Sequence, residues 1–320
     1  MDYGPPFPSV LLLSRDFVGG AVTTLALVIL YRVYQFWYGR TTLARIQATA
    51  HAPVKHKGDD NTITIWGDSP PNDPEVVRGV SDFSPFVLRV EAYLRLIHQP
   101  YVKRATITMA ENPRHKIPYA NVFGDMVDDS ARILQTIQRK LNVEQEPKLT
   151  AHQKAMGHLI STLLCEGLYF TMLHALVDTK HGQDHIWALL QEKVSIPPLR
   201  LIIFQSVIEN EHKNTWGQGY GRYPEAYVIE KAMQDLEALS IILGDNEFIL
   251  GSPQATLYDI DVYAFVGICF LSSFAAPLDW IQQAKRQFPN LVQHTHRLKD
   301  LLYPEHAKDV ESEYVAEDAS

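Results

Sequence analysis

Short apolar and alternating stretches mark strands in the first half of the chain, and helical spacing takes over in the second. Ile63 to Gly67 (ITIWG) is a compact apolar run bounded by polar residues. Tyr101 to Thr108 (YVKRATIT) alternates and ends in β-branched side chains. Tyr119 to Phe123 forms a third short strand, and Gly124-Asp125 is a hairpin signal before Met126-Val127. Between the first two strands, Ser81 to Leu96 (SDFSPFVLRVEAYLRL) carries apolar residues at Val87, Val90 and Leu94, continued by Ile97, which is helical spacing. Ser84 is placed to cap this helix, and Pro85 falls in the first turn, where a missing N–H costs nothing. Strand, helix and strand in this order predict a parallel βαβ unit.

Asp128, Asp129 and Ser130 precede a helix with apolar residues at Ile133, Leu134 and Ile137. From about Leu149 the pattern is helical throughout, with candidates at 151–178, 184–193, 198–213, 224–243, 256–274 and 289–302. Pro197-Pro198 and Tyr223-Pro224-Glu225 mark two of the starts. The change near residue 145 predicts a small α/β domain over 62–145 followed by an all-α domain over 146–304.

The flanks differ in kind. Residues 1–16 are short and Pro-rich. Phe17 to Tyr38 is apolar, and its uninterrupted part, Phe17 to Tyr31, falls short of the roughly 20 residues that cross a bilayer. Extension to Tyr38 reaches that length with Arg32 inside, able to snorkel, and with Tyr31, Tyr34, Trp37 and Tyr38 suited to an interfacial belt. A cleaved leader fits poorly, because no lysine or arginine precedes Arg15 and Ala48-Thr49-Ala50 lies too far downstream. An amphipathic or loosely buried helix is the other alternative to an anchor over 17–38. Arg40, Arg45, Lys55 and Lys57 follow with no acid between Leu30 and Gly58, which places the bulk of the chain in the cytosol. Residues 39–61 form a polar linker. The stretch 305–320 is an acidic tail, with Glu305, Asp309, Glu311, Glu313, Glu317 and Asp318 against Lys308.

The net charge of −8 owes much to that tail, and no basic surface is legible, so nucleic acid is not expected as a partner. The two cysteines, Cys165 and Cys269, sit in apolar helical surroundings and are expected as free thiols. Neither lies near Ser84, which excludes CxxC redox chemistry at the strand–turn–helix. His181 and His185 share a spacing suited to one helical face, but Gly182 is expected to interrupt that helix and no cysteine joins them, so no metal site is expected. No GxSxG elbow supports Ser/His/Asp hydrolysis. Trp216 to Arg222 has spaced glycines but follows no strand, so it is expected as a loop between helices rather than a dinucleotide fingerprint.

The order of motifs resembles the glutathione transferase superfamily. Ser84-Pro85-Phe86 resembles the helix start of the tau and omega classes. Asn112 to Pro118 (NPRHKIP) is similar to the segment that ends in that family's cis-proline. Asp129-Ser130 stands where the family carries Glu-Ser. Thr256 and Asp259 match its folding motif, read as a capping box with Asp in place of Glu. The resemblance spans about residues 62–303 and implies a thioredoxin-like N-terminal domain followed by an all-α C-terminal domain.

For the site, the resemblance implies that Ser84 donates its hydroxyl to a glutathione thiolate at the helix N-terminus, with Ser81 as a weaker substitute. It further implies that Ile117 pairs its backbone with the ligand beside Pro118, that Asp129 and Ser130 hold the γ-glutamyl end, and that Lys116 meets a carboxylate. On pattern alone the same residues are a helix cap, a turn proline, capping residues and a solvated lysine. Glutathione is then the ligand, a hydrophobic electrophile the second substrate, and a homodimer the common assembly. The anchor, the SPF helix start and Trp216 to Arg222 together resemble the narrower failed axon connections branch, related to metaxins. That branch implies the alternative of a non-catalytic membrane adaptor for protein partners, on the mitochondrial outer membrane or the endoplasmic reticulum.

Overall fold

The computed structural model describes residues 29–34, 37, 44, 47–49, 52–54, 58–69, 78–106, 112–114, 116–143, 148–272 and 278–306. The chain divides into two units, Met1–Pro53 and Val54–Ser320. Within the first, residues 29–34 and 37 are helical, and Ile29, Leu30, Tyr31, Val33, Tyr34 and Trp37 expose their side chains. The remainder of the expected anchor over 17–38 lies outside the described residues.

The second unit opens on a mixed sheet. β1 (Ile63–Gly67) is followed by α1 (Pro85–Leu96), β2 (Val102–Ala105), β3 (Tyr119–Val122), β4 (Asp125–Asp128) and α2 (Ser130–Leu141). The strand order is β2-β1-β3-β4, with β1 parallel to β2 and antiparallel to β3. All five residues of β1 are buried, as a central strand covered on both faces requires, whereas β2 exposes three of its four. Phe123 and Gly124 take positive φ values of 48° and 90°, and this tight turn sends β4 back along β3.

The helical half comprises α3 (Ala151–Leu163), a π-helical turn (Leu164–Leu168), α4 (Tyr169–Val177), α5 (Lys180–Lys193), α6 (Pro197–Gln218), α7 (Glu225–Leu243), α8 (Leu257–Leu271), α9 (Asp279–Gln287) and α10 (Pro289–Leu302). Every residue of α8 from Asp259 to Leu271 is buried, so this helix is the axis of the core. It packs against α1, α3 and α10. The stretch from Ala151 to Val177 is the one described helix long and apolar enough to cross a membrane, and here it is part of the packed fold.

Two polar clusters lock this core. Thr256 and Asp259 form a capping box at the start of α8. Asp259 Oδ2 accepts from the Thr256 N–H at 2.8 Å and from its hydroxyl at 2.7 Å, while Oδ1 accepts from the Ile249 N–H at 2.7 Å. His294 Nε2 lies 2.9 Å from the same Oδ1, so both carboxylate oxygens are fully used. Two residues further along, Asp261 forms a bidentate pair with Arg89 of α1, at 2.5 and 2.9 Å, and also accepts from the Ser161 hydroxyl. Both partners are buried, so removing either leaves a charge without its counter-ion.

Several local expectations change. Gly182 does not interrupt a helix: it sits in the first turn of α5, its N–H given to Thr179 Oγ1 at 3.1 Å. A side chain there would run into the carbonyl oxygens of Ala175 and Leu176, so the glycine serves a close approach of α5 to the end of α4. Trp216 to Gln218 continue α6 rather than forming a loop, and the helix ends at Gly219, whose φ of 109° makes a left-handed C-cap. The α9 helix was not expected; its nine residues bury Trp280, Ile281 and Ala284. Glu305, the first residue of the acidic tail, is not free in solvent but lies 2.7 Å from Arg95. Residues 307–320 lie outside the described residues.

Candidate functional site

Sheet register brings three separate stretches to one end of the sheet. Trp66 at the end of β1 pairs with Tyr119 at the start of β3, and Tyr119 pairs with Asp128 at the end of β4. The chain therefore leaves β1 toward Ser84, enters β3 from Ile117-Pro118 and leaves β4 into Asp129-Ser130 all on the same edge. Two helix N-termini, of α1 and α2, open at this edge, and each presents N–H groups and a positive dipole end.

Ser84 occupies the N-cap position of α1 with extended backbone (φ −83°, ψ 116°), and its carbonyl accepts from the N–H groups of Val87 and Leu88. Its hydroxyl makes no capping hydrogen bond, contrary to the simple capping expectation. The reason lies two residues upstream: Asp82 Oδ1 accepts the Ser84 N–H at 2.9 Å and fixes the turn without the serine hydroxyl. The Ser84 side chain is half-buried, and its oxygen remains available as a donor. Ser81 is no substitute, because its buried hydroxyl is committed to Glu91 at 2.5 Å and accepts from Tyr303 at 3.1 Å.

The Ile117–Pro118 peptide is cis. Pro118 is buried, Ile117 is half-buried, and Ile117 precedes the ladder that begins at Tyr119. Asn112 supports this bend by donating its side-chain amide to the Lys116 carbonyl at 2.7 Å. Lys116 is exposed, and its ammonium lies 3.7 Å from Glu211 of α6. Asp129 takes a positive φ of 68°, uncommon for a non-glycine residue, and its carboxylate accepts the N–H groups of Ala131 and Arg132 at 3.0 and 3.2 Å. Ser130 is buried beneath it, with its hydroxyl 3.4 Å from Arg89 Nη1.

The helical half supplies an aromatic wall next to Ser84. Phe86 packs edge-on against Tyr169 (4.9 Å between centroids) and Phe265 (5.3 Å). Burial, with Glu211 adding to it, holds the Tyr169 hydroxyl well above its ordinary pKa, so it stays protonated. Burial likewise pushes the Cys165 thiol up to about 11 and the Cys269 thiol up to about 12, which leaves neither as a nucleophile at neutral pH. Among the described residues no group of three or more His, Cys, Asp or Glu is arranged to hold a metal ion.

Asp82, beside Ser84, and Glu211, beside Lys116, are not singled out by the sequence. The first carried a signal, since an aspartate two residues before a serine can accept its N–H in an Asx turn. Glu211 carried none, because only the packing of α6 brings it to Lys116.

Comparison with known proteins adds an independent line. Residues 85–182 match the family described as Glutathione S-transferase N-terminal domain, and residues 232–298 match Glutathione S-transferase, C-terminal domain. Isoprene-epoxide–glutathione S-transferase from Rhodococcus sp. (strain AD45) is 27% identical over 249 residues, covering 74% of this chain and 98% of that protein. Failed axon connections from Drosophila melanogaster is 25% identical over 235 residues, covering 69% of this chain but only 55% of that protein, so the chain spans about half of it. Among solved structures, a glutathione S-transferase from Methylobacterium radiotolerans in complex with glutathione sulfonate aligns at TM-score 0.45 and 16% identity, over 75% of this chain and 91% of that one. A glutathione transferase family member from Pseudomonas fluorescens with two glutathione bound aligns at TM-score 0.47 and 14% identity, over 76% and 93%.

Proposed function

Since the chain belongs to the glutathione transferase superfamily, we propose that it binds glutathione at the sheet edge and transfers it to hydrophobic electrophiles lodged against Phe86 and Tyr169. The observation that carries this reading is the Ser84 hydroxyl, left unused by its own helix cap at the edge shared with Pro118 and Asp129. Donation from Ser84 and the N-terminal dipole of α1 stabilise a thiolate over a thiol. The ligand's peptide backbone pairs with Ile117. Its γ-glutamyl end lies over the start of α2, held by Asp129 and Ser130, with the ammonium toward the Asp129 carboxylate. Lys116 takes the far carboxylate by exchanging it for Glu211. The thiolate sulfur then attacks an electrophilic carbon, and a C–S bond forms as a carbon–halogen or epoxide C–O bond breaks: a halide leaves to solvent, whereas the epoxide oxygen stays on the product and takes a proton from water. The Rhodococcus relative is named for an epoxide substrate, and a strained apolar epoxide suits a wall of aromatic rings.

The test is calorimetric titration of the purified full-length protein with glutathione, followed by conjugation assays with an aryl halide and an apolar epoxide. Saturable binding with turnover supports the reading, and no binding at millimolar glutathione overturns it. Binding without turnover favours the second reading, a membrane adaptor that keeps the ligand site for regulation. That reading is favoured by the Drosophila relative. The anchor over 17–38 belongs to both readings. Alkaline extraction of membranes should leave the protein in the pellet, and its release into the supernatant would exclude a spanning helix.

A further inference from the structure

Behind Ser84 lies a buried charge cluster that the transfer chemistry does not use. Asp82, Glu91 and Lys103 are 1%, 2% and 8% exposed. Lys103 Nζ sits 2.9 Å from Glu91 Oε2 and 3.2 Å from Asp82 Oδ2, and it also donates to the Ser81 carbonyl. Glu91 has two further donors, the Ser81 hydroxyl at 2.5 Å and the Tyr101 hydroxyl at 3.0 Å. Arg95 lies beyond Tyr101, 3.2 Å from its hydroxyl, and its charge is taken up by Glu305. Among the described residues the cluster therefore contains two carboxyl groups and one ammonium, all buried. With both carboxyls ionised it would hold an uncompensated buried negative charge, so one of them must take a proton readily.

Asp82 is that one. Burial raises its carboxyl to about 6, with Lys103 and the N–H groups of Ser69 and Ser84 pulling it down and Glu91 pushing it up. Asp82 is also the joint between two elements. Its Oδ1 holds the Ser84 N–H, and its Oδ2 holds the N–H groups of Asp68 and Ser69, both at 3.0 Å, just past the end of β1. The Asp68 side chain itself is exposed. Gly67 leaves room for this joint: a side chain there would collide with Asp82 Oδ2 and with Val87. A carboxylate accepts from all three amides at once, whereas a carboxylic acid carries an O–H on one oxygen and loses acceptor capacity.

We propose that Asp82 is a positioning residue of the Ser84 site: ionised, it clamps the start of α1 to the end of β1, and its protonation slackens the clamp and weakens ligand binding. The ligand half of this inference rests on the glutathione reading above; the clamp itself does not.

The experiment uses the full-length protein and S-methylglutathione, a thioether whose sulfur carries no titratable proton. Affinity should be about tenfold weaker near pH 5 than near pH 7, the worth of one hydrogen bond. The midpoint should sit near 6. Glu91→Gln, by removing the second negative charge, should move the midpoint down. Lys103→Met, by removing the ammonium, should move it up. Asp82→Asn should abolish it. The Ser84 amide resonance, followed by NMR without ligand, should titrate with the same midpoint and the same two shifts. Opposite shifts from Glu91 and Lys103 are not produced by a merely structural role. A flat Ser84 amide response, or a midpoint that neither substitution moves, overturns the clamp even where Asp82→Asn fails to fold. Normal amide titration with no ligand binding at any pH supports the clamp and overturns only the glutathione reading.

Discussion

At the scale of single residues, the functional argument turns on one hydroxyl. Ser84→Ala should leave the fold intact, because Asp82 rather than the serine side chain holds the turn. Conjugation should fall about 100-fold, as when a single donor to a developing anion is removed. Glutathione affinity near neutral pH should change less, and thiol ionisation, read by the thiolate absorbance of the bound ligand, should shift to higher pH. Unchanged turnover would mean that the dipole of α1 or another donor does the work. Local pattern marked Ser84, Pro118 and Asp129 as a cap, a turn proline and a capping residue, and only the family resemblance joined them around one ligand. The sequence hid the Glu211–Lys116 pair, formed between residues nearly a hundred positions apart. It also left Arg89 and Asp261 unmatched, and no periodicity links a guanidinium on one helix to a carboxylate on another 172 residues later.

At the scale of elements, hydrophobic spacing located the strands and most helices, and failed where a short side chain has a long-range purpose. Gly182 illustrates this. On propensity a glycine weakens a helix by about 1 kcal/mol relative to alanine, so Gly182→Ala would be expected to stabilise α5. In the structure the added methyl meets backbone oxygens at the end of α4, which cannot rotate away. The substitution should therefore destabilise by about 1–3 kcal/mol, the usual cost of overpacking. Urea unfolding measures this, and a stabilised variant would show that α5 can lift from α4. The same local reading passed over α9, whose nine residues give two turns of pattern before Pro289 opens the next helix. It also passed over the π-helical turn between α3 and α4, which sequence spacing does not encode.

At the scale of the whole molecule, buried carboxyls set a pH signature. Burial raises Asp82 and Asp235 to about 6, and in the unfolded chain each would titrate near 3.9. Between these values the folded protein binds more protons than the unfolded chain, so this contribution to stability declines as pH rises from about 4 to about 6 and is constant above. For Asp82 the total is on the order of 3 kcal/mol; Asp235 is less buried and adds less. The difference in unfolding free energy between Asp82→Asn and wild type should therefore move in favour of the variant across that window. A difference independent of pH would mean that Asp82 is paired more strongly than its surroundings imply. The fold also imposes an order on synthesis. Arg89 leaves the ribosome 172 residues ahead of the carboxylate that neutralises it, and Ser161, which shares that carboxylate, also precedes it. The sheet and α1 can form early, but their guanidinium lacks its bidentate buried partner until α8 is made. The nascent first half must therefore wait, incompletely closed, for the second.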